Sequence, residues 1–233
     1  MFKKSAFALA LSMTAITGIS ADAAVLRLDG YSSSVQGVSI GASPVPGTPG
    51  SVGATGFNVT DTTGSEGSFL AWCLDIAHYL MGVGSSQNYT ETNAPFSNSY
   101  GLSAVAKARV QSVFDANYAS LDATDGDQAA AFQIVLWEAA YEDDGNAMSL
   151  ANGLFQATSS GSDAFAATFI ANAAAYTGGP AYDLTFWEVD GDANRGKWTG
   201  QNLVSANPVP VPAAGWLLLA GLGGLAATRR RKT

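Results

Sequence analysis

Residues 126–142, with the sequence GDQAAAFQIVLWEAAYE, are the most informative segment of this chain. Apolar side chains recur in it at spacings of three and four residues, which is the pattern of one face of an α-helix. Asp125 directly precedes the stretch and Gln128 follows three residues later, an arrangement typical of a capped helix start. The pattern therefore predicts a helix over 126–142 that packs an apolar stripe against the core.

Gln133 lies in the middle of this apolar stripe when successive residues are spaced by about 100° around the helix axis. Burying a glutamine side chain costs about 1–3 kcal/mol unless its amide finds hydrogen-bond partners. Gln133 is therefore a candidate functional residue. The ordinary alternative is a hydrogen bond between its amide and a backbone group of the core.

The rest of the chain shows strand patterns first, then helices, then strands again. Two further helices are predicted, over residues 103–118 and 163–176. Strands are predicted over residues 25–40 (one or two strands), 57–60, 69–74, 182–189 and 202–205. Residues 74–81 are interpreted as a helical turn capped by Asp75, and residues 41–56 and 82–100 as loops. This order predicts an α+β domain, with a helical part inserted into a sheet-like or sandwich-like part.

The composition excludes several classes of protein. Hydrophobic residues make up 47% of the 233 residues and charged residues 13%, so the chain has material for a core and is not a disordered polyelectrolyte. A formal net charge of −8 excludes a nucleic-acid-binding protein with a basic face. One cysteine and one histidine exclude a disulfide framework and a multi-ligand Cys/His metal centre. The acidic clusters lack EF-hand spacing, so we predict neither a metal nor another cofactor.

The first 23 residues have the pattern of a cleaved secretory signal peptide. Lys3 and Lys4 form a positive n-region, residues 6–19 are largely apolar, and residues 21–23, Ala-Asp-Ala, have the small-x-small pattern that signal peptidase accepts. The apolar stretch is short and interrupted by polar residues, which disfavours a permanent membrane anchor. We therefore expect export, with a mature chain that begins near Ala24.

Residues 206–233 form a second targeting segment at the other end of the chain. Residues 213–227 are an uncharged apolar run. As a helix this run would be about 22 Å long, which is short for a hydrocarbon core of about 30 Å. The basic cluster that follows should stay in the cytoplasm and consists of Arg229, Arg230, Arg231 and Lys232. The sequence thus predicts a short transmembrane sorting helix and places the globular domain, residues 24–205, outside the inner membrane.

This second segment resembles the PEP-CTERM sorting signals, in their VPLPA-CTERM form. The resemblance rests on Val209-Pro210-Val211-Pro212-Ala213, followed by Gly-Trp, an apolar run and a terminal arginine cluster. Valine at position 211 departs from the leucine that is usual there. The resemblance implies a substrate of an exosortase-type enzyme in a Gram-negative bacterium. Such a substrate is held at the inner membrane and then passed to the cell surface or extracellular matrix.

The single cysteine, Cys73, lies in the apolar run 69–74 and is the second candidate functional residue. Trp72-Cys73 and residues 132–137, FQIVLW, resemble the paired motifs of thioester domains in bacterial surface adhesins. The resemblance implies that the Cys73 sulfur displaces ammonia from the Gln133 side chain and leaves an internal thioester. An amine or hydroxyl on a target surface can attack that bond. The surrounding residues that would exclude water from it are Trp72, Phe132 and Trp137.

Two other functions stay open on the sequence alone. The chain could be a structural protein of the extracellular matrix or biofilm, with Cys73 and Gln133 as ordinary core residues. It could also be a cysteine-dependent hydrolase that uses Cys73 with His78. On a helix, however, five residues place two side chains about 140° apart, so these two would not share a face. We therefore expect a non-enzymatic surface protein.

Overall fold

The computed structural model describes residues 23–64, 66–92, 96–98, 100–143, 145–191 and 200–210. The predicted signal peptide up to residue 22 and the predicted sorting segment from residue 211 lie outside these residues. None of the helices within the described ranges is long and apolar enough to cross a membrane.

Strands dominate the first half of the chain, and the helices follow in the second half. The described elements are β1 (Ala23–Tyr31), β2 (Gln36–Ala42), β3 (Ser51–Ala54), β4 (Phe57–Asp61), β5 (Ser68–Cys73), β6 (Ser86–Thr92), α1 (Ala104–Asn117), α2 (Gly126–Tyr141), β7 (Gln156–Thr158), α3 (Asp163–Ala175), β8 (Tyr182–Val189) and β9 (Leu203–Pro208). Each predicted helix agrees with an observed helix to within one residue at either end. The helices lie between β6 and β8, which confirms the inserted helical part.

Six strands form a closed antiparallel barrel in the order β1-β4-β5-β9-β8-β6. Side chains of β1 alternate as a pleated strand requires, with Ala24, Leu26 and Leu28 buried and Arg27 exposed. Because the sheet closes on itself, each of these six strands is paired on both sides. The predicted α+β class is confirmed, whereas the sandwich-like arrangement of the sheet is wrong.

The strand that closes the barrel is β6, in a segment that the sequence analysis predicted as loop. It pairs with β1 on one side and with β8 on the other, and Tyr89 faces Ala24 and Val189 across these two pairings. Its sequence, SQNYTET, has only one fully buried large side chain, Tyr89. A mostly polar strand gives no alternating pattern, and its pairing with two neighbours stabilises it instead.

The remaining strands form a second antiparallel sheet in the order β3-β2-β7. In the β2–β3 hairpin, Gln36 pairs with Ala54 and Ser39 with Ser51. Strand β3 lies in the predicted loop 41–56, and neither β3 nor β7 was predicted from the sequence. Both strands have four residues or fewer, which is too short to display a period-two pattern.

Helix α2 is buried on all sides, beyond the single apolar stripe that its sequence predicted. Every residue from Ala129 to Tyr141 is buried. The helix contacts α1 and α3 as well as β2, β3 and β5, so it has no solvent-facing side over these residues. The predicted N-terminal cap is confirmed, because the Asp125 carboxylate accepts a hydrogen bond from the Gln128 N–H at 2.9 Å. The Gln128 side chain accepts from Asp122 N–H instead of completing a capping box.

Residues 74–81 form turns and extended chain, so the predicted helical turn with Asp75 as its cap is wrong. The Leu74 N–H donates to the Asn202 carbonyl at 3.0 Å, which continues the pairing of β5 with β9 one residue further. This bond holds residue 74 in line with the strand. The chain therefore turns only after Asp75.

Candidate functional site

The two candidate residues of the sequence analysis meet where α2 crosses the end of β5. Cys73 is the last residue of β5 and Gln133 lies in the first half of α2. Both are fully buried. The barrel and the helical part are thus in contact at this pair.

Gln133 uses both ends of its side-chain amide to bind the backbone of Cys73. Its Oε1 accepts a hydrogen bond from the Cys73 N–H at 2.8 Å, and its Nε2 donates to the Cys73 carbonyl at 2.7 Å. The amide therefore pairs with Cys73 as a neighbouring strand would, and the cost of burying it is offset. The partner is a backbone group of the core, and it belongs to the residue that carries the thiol.

The aromatic residues of the two motifs are buried next to this pair. The rings of Trp72 and Phe132 contact each other edge to face, with centroids 4.7 Å apart. Trp72 and Phe132 are fully buried and Trp137 is 2% exposed. The indole N–H groups of Trp72 and Trp137 are buried and make no hydrogen bond. These rings exclude water from the region around Cys73 and Gln133.

The thiol of Cys73 is held as a neutral group. Its Sγ donates to the Asp75 carbonyl at 3.3 Å and accepts from the Asp75 N–H at 3.2 Å. Burial raises the pKa of the Cys73 thiol far above its ordinary value, and the Asp75 carboxylate raises it further. The Asp75 N–H, which donates to the sulfur, opposes part of this rise in pKa. A neutral buried thiol resists alkylation and is a poor free nucleophile.

A cavity of about 410 Å³ extends from the surface to Cys73. Cys73 and Trp137 form part of its wall, and both are buried. Tyr31, Val35 and Tyr79 also line it and are between 39% and 47% exposed, so they mark the side that is open to solvent. The cavity gives a small group from outside a route to the cysteine.

His78 lines the same cavity, which the sequence analysis did not anticipate because it treated residues 74–81 as helical. Its Nδ1 is 2.8 Å and 2.9 Å from the two carboxylate oxygens of Asp75. The hydrogen bonds of the Cys73 thiol go to the Asp75 backbone and not to His78. The direct thiol–imidazole pair of a cysteine hydrolase is therefore not formed.

Gln201 is a further residue of the site that the sequence analysis missed. Its Nε2 donates to the Asp75 carbonyl at 3.1 Å and to the His78 carbonyl at 2.6 Å, and it also lines the cavity. The Gln201 side chain thus binds the backbone at both ends of the turn from Asp75 to His78. The spacing of Asp75 and His78, three residues apart, was the only signal in the sequence for this arrangement.

The other predicted site residues are largely outside the described ranges. Of the sorting motif, Val209 and Pro210 are described, and the Val209 N–H donates to the Ala181 carbonyl at 2.9 Å directly after β9. The residues of the sorting segment that lie outside are Val211, Pro212, Ala213, Arg229, Arg230, Arg231 and Lys232. In the part of the chain that the structure describes, no group of three or more His, Cys, Asp or Glu residues could hold a metal ion.

No family model matches the chain, and no curated protein matches it. Among solved structures, the chain is similar to the N-terminal thioester domain of a surface protein from Clostridium perfringens, with 12% identity and a TM-score of 0.44 over 75% of this chain and 99% of that chain. It is also similar to the N-terminal domain of the Streptococcus pyogenes pilus tip adhesin Cpa, with 14% identity and a TM-score of 0.40 over 78% of this chain and 100% of that chain.

Proposed function

We propose that this chain is an exported surface protein that attaches covalently to a target through an internal thioester between Cys73 and Gln133. The observation that carries the proposal is the pair of hydrogen bonds, 2.8 Å and 2.7 Å long, that joins the Gln133 amide to the backbone of Cys73. They hold the amide against the residue whose thiol would attack it. Fixing the amide beside the residue that carries the thiol lowers the entropic cost of bringing the two groups together.

The bond-forming step exchanges ammonia for sulfur on the Gln133 side chain. The Cys73 sulfur attacks the amide carbon, an S–C bond forms and the C–N bond breaks, and the thiol proton leaves with the nitrogen as ammonia. The Cys73 N–H that already binds Oε1 supports this step, since it stabilises the negative charge that develops on that oxygen.

The buried aromatic surroundings favour survival of the bond once it has formed. A thioester is an activated acyl group that water would hydrolyse, and Trp72, Phe132 and Trp137 keep its surroundings dry. The cavity at Cys73 then gives a target amine or hydroxyl its access. Attack by the target transfers the Gln133 acyl group to it and releases the Cys73 thiol.

A structural matrix protein without a reactive bond is the second candidate. The observation that favours it is that both ends of the Gln133 amide already have backbone partners, as in an ordinary core hydrogen bond. A thiol hydrolase is less well supported, because the hydrogen bonds of the Cys73 thiol go to the Asp75 backbone and not to His78. We therefore propose a protein that is not an enzyme.

We propose that either candidate acts outside the cell. We propose removal of residues 1–23 by signal peptidase, insertion of the C-terminal segment in the inner membrane, and transfer to the cell surface or matrix by an exosortase-type enzyme. The support is the Ala-Asp-Ala site, the motif Val209–Ala213 and the terminal basic cluster.

Intact-mass spectrometry of the purified protein tests the thioester directly. We expect a mass lower than the sequence mass by one ammonia, and peptide mapping should join the segments that contain Cys73 and Gln133. Cys73→Ala and Gln133→Ala should each restore the full sequence mass. Gln128→Ala, which removes an amide near the exposed start of α2, is the matched control and should keep the ammonia loss. A wild-type mass with no such loss would favour the structural matrix protein.

A further inference from the structure

An imidazole bound to a carboxylate lies at the cavity that extends to Cys73, the thiol donor of the proposed thioester. His78 and Cys73 both line this cavity, and the imidazole Nδ1 is bound to the Asp75 carboxylate at 2.8 Å. The Asp75 side chain is 2% exposed and that of His78 is 12% exposed. The carboxylate is thus buried behind the imidazole, while the imidazole keeps access to the cavity.

The contact with Asp75 fixes the tautomer of the His78 imidazole. A carboxylate accepts the proton on Nδ1, so Nε2 is left as the basic nitrogen. The two hydrogen bonds from Gln201 to the Asp75 and His78 carbonyls hold the turn that presents the ring. This arrangement of a carboxylate behind an imidazole is the one that general bases use in acyl transfer.

The cavity offers few other groups that could move a proton. The titratable side chains among its described lining residues are Cys73, His78, Tyr31 and Tyr79. Cys73 is the leaving group of the reaction, and the phenol groups of the two tyrosines act as general bases less often than an imidazole does. His78 is the only imidazole among these side chains, and an imidazole is the group that most often acts as a general base.

We propose that His78, oriented by Asp75, is the general base for attack on the thioester; this inference rests on the proposed function. His78 Nε2 takes the proton from the attacking hydroxyl or amine as its oxygen or nitrogen bonds to the Gln133 acyl carbon. The C–S bond then breaks, and the same proton passes to the Cys73 sulfur, which leaves as a thiol. The products are an ester or amide of Gln133, a free Cys73 thiol and an unchanged imidazole.

A general base at this position would also affect the rates of transfer to hydroxyl and amine targets differently. A neutral amine already carries a reactive lone pair, whereas a hydroxyl becomes a good nucleophile as it loses its proton. A base in the cavity therefore accelerates transfer to hydroxyls more than transfer to amines. We accordingly expect the site to accept hydroxyl-bearing surfaces such as carbohydrate.

The test compares transfer to glycerol and to methylamine in the full-length exported protein. The intact mass of each preparation is measured first, and the ammonia loss gives the fraction of molecules that contain the thioester. The rate constants are then normalised to that fraction. Their ratio, glycerol to methylamine, cancels differences in folding and in thioester content. His78→Gln should lower the rate with glycerol by about 100- to 10,000-fold and should lower the ratio. Asp75→Asn should lower the ratio by about tenfold or more, since the ring loses its orienting carboxylate.

Asp122→Asn is the matched control for Asp75→Asn. Asp122 is a carboxylate in the loop before α2 and does not line the cavity. Its ratio should equal that of the wild type. Transfer to glycerol by the wild-type protein should also be slower in D₂O, which tests proton transfer without any substitution. If His78→Gln does not fold, the rate of the wild-type protein in D₂O still tests the proposed proton transfer.

The inference is overturned by an unchanged ratio in either variant, or by a wild-type rate that is the same in D₂O. In those cases the thioester itself, and so the proposed function, would stand. A wild-type protein without ammonia loss would refute the proposed function, and the inference with it.

Discussion

Gln133 binds both backbone polar groups of Cys73 with the two ends of one side-chain amide, across sixty residues of sequence. This contact joins the most buried helix to the end of a barrel strand. The amide thus has a structural role whether or not the thioester forms. The two roles can be separated by removing the thiol and leaving the amide in place.

We expect Gln133→Leu to destabilise the protein even when no thioester can form. In a Cys73→Ala background, the leucine leaves the N–H and carbonyl of residue 73 without their Gln133 partners in a buried region. Each such loss costs about 1–3 kcal/mol. Urea unfolding of Cys73→Ala and of the double variant measures the difference in the free energy of unfolding.

The matched control is Gln128→Leu in the same background. Gln128 is on the same helix, but its side chain accepts a hydrogen bond in an exposed position. Its substitution should change the free energy of unfolding by no more than about 0.5 kcal/mol. Equal stabilities of the Gln133 and Gln128 variants would show that the amide of Gln133 contributes nothing through Cys73.

A free Cys73 thiol should make the protein less stable in mild alkali. Burial and the Asp75 carboxylate raise the pKa of this thiol in the folded state, whereas the unfolded thiol titrates near about pH 8.5. Below that pH both states keep the proton and stability does not change. Above it only the unfolded state loses the proton, so the free energy of unfolding falls by up to about 1.4 kcal/mol per pH unit.

The measurement uses Gln133→Ala, which keeps the thiol free, and Cys73→Ala/Gln133→Ala as its control. Tyr141 also has a raised pKa because of its burial, but it is present in both proteins and its effect largely cancels. The difference in stability between the two proteins should shrink or reverse as the pH rises above about 8.5. A constant difference across that range would contradict the proposed state of the thiol.

Gly153→Ala should destabilise the protein more than Gly64→Ala. Both glycines have a left-handed φ, +105° and +102° respectively, so an alanine is strained by a similar amount at either position. A Cβ at residue 153 would also collide with the Glu142 carboxylate, which accepts hydrogen bonds from Leu154 and Phe155 N–H at 2.7 Å and 3.0 Å. Residue 64 has open space around the same position.

The collision should add about 1–3 kcal/mol to the cost of the Gly153 substitution. Thermal or urea unfolding of the two variants gives this difference directly, with Gly64→Ala as the control for backbone strain. Equal losses of stability would mean that the Glu142 carboxylate moves aside without cost.

We expect the mature extracellular protein to begin near Ala24 and to lack the basic cluster at residues 229–232. Cleavage after Ala23 removes the first residue of β1 but keeps Ala24, which is 4% exposed and pairs with Tyr89 of β6. Terminal peptide mapping of native material checks both ends. Recovery of the intact C-terminus from the extracellular form would contradict sorting by removal of the tail.

The sequence predicted well those elements whose residues lie in regular local patterns. The caps Ser103 and Asp125 mark the starts of α1 and α2, and both accept hydrogen bonds from the first turn of their helix. Strand β5, Ser68–Cys73, was recognisable from the short apolar run over residues 69–74. In these cases the pattern is visible within one turn of helix or a few strand residues, because burial of that one element produces it.

Local sequence patterns were sufficient to predict the three helices, most of the strands and the unusual position of Gln133 in an apolar stripe. Three further features come from long-range contacts: polar β6 closes a barrel, the Gln133 amide binds the backbone of Cys73, and His78 lines the cavity at Cys73. Each of these depends on groups that are distant in the chain or on a turn without periodicity. Local patterns report which side of an element is buried, and they hold no information on which distant backbone group a buried amide or a polar strand will meet.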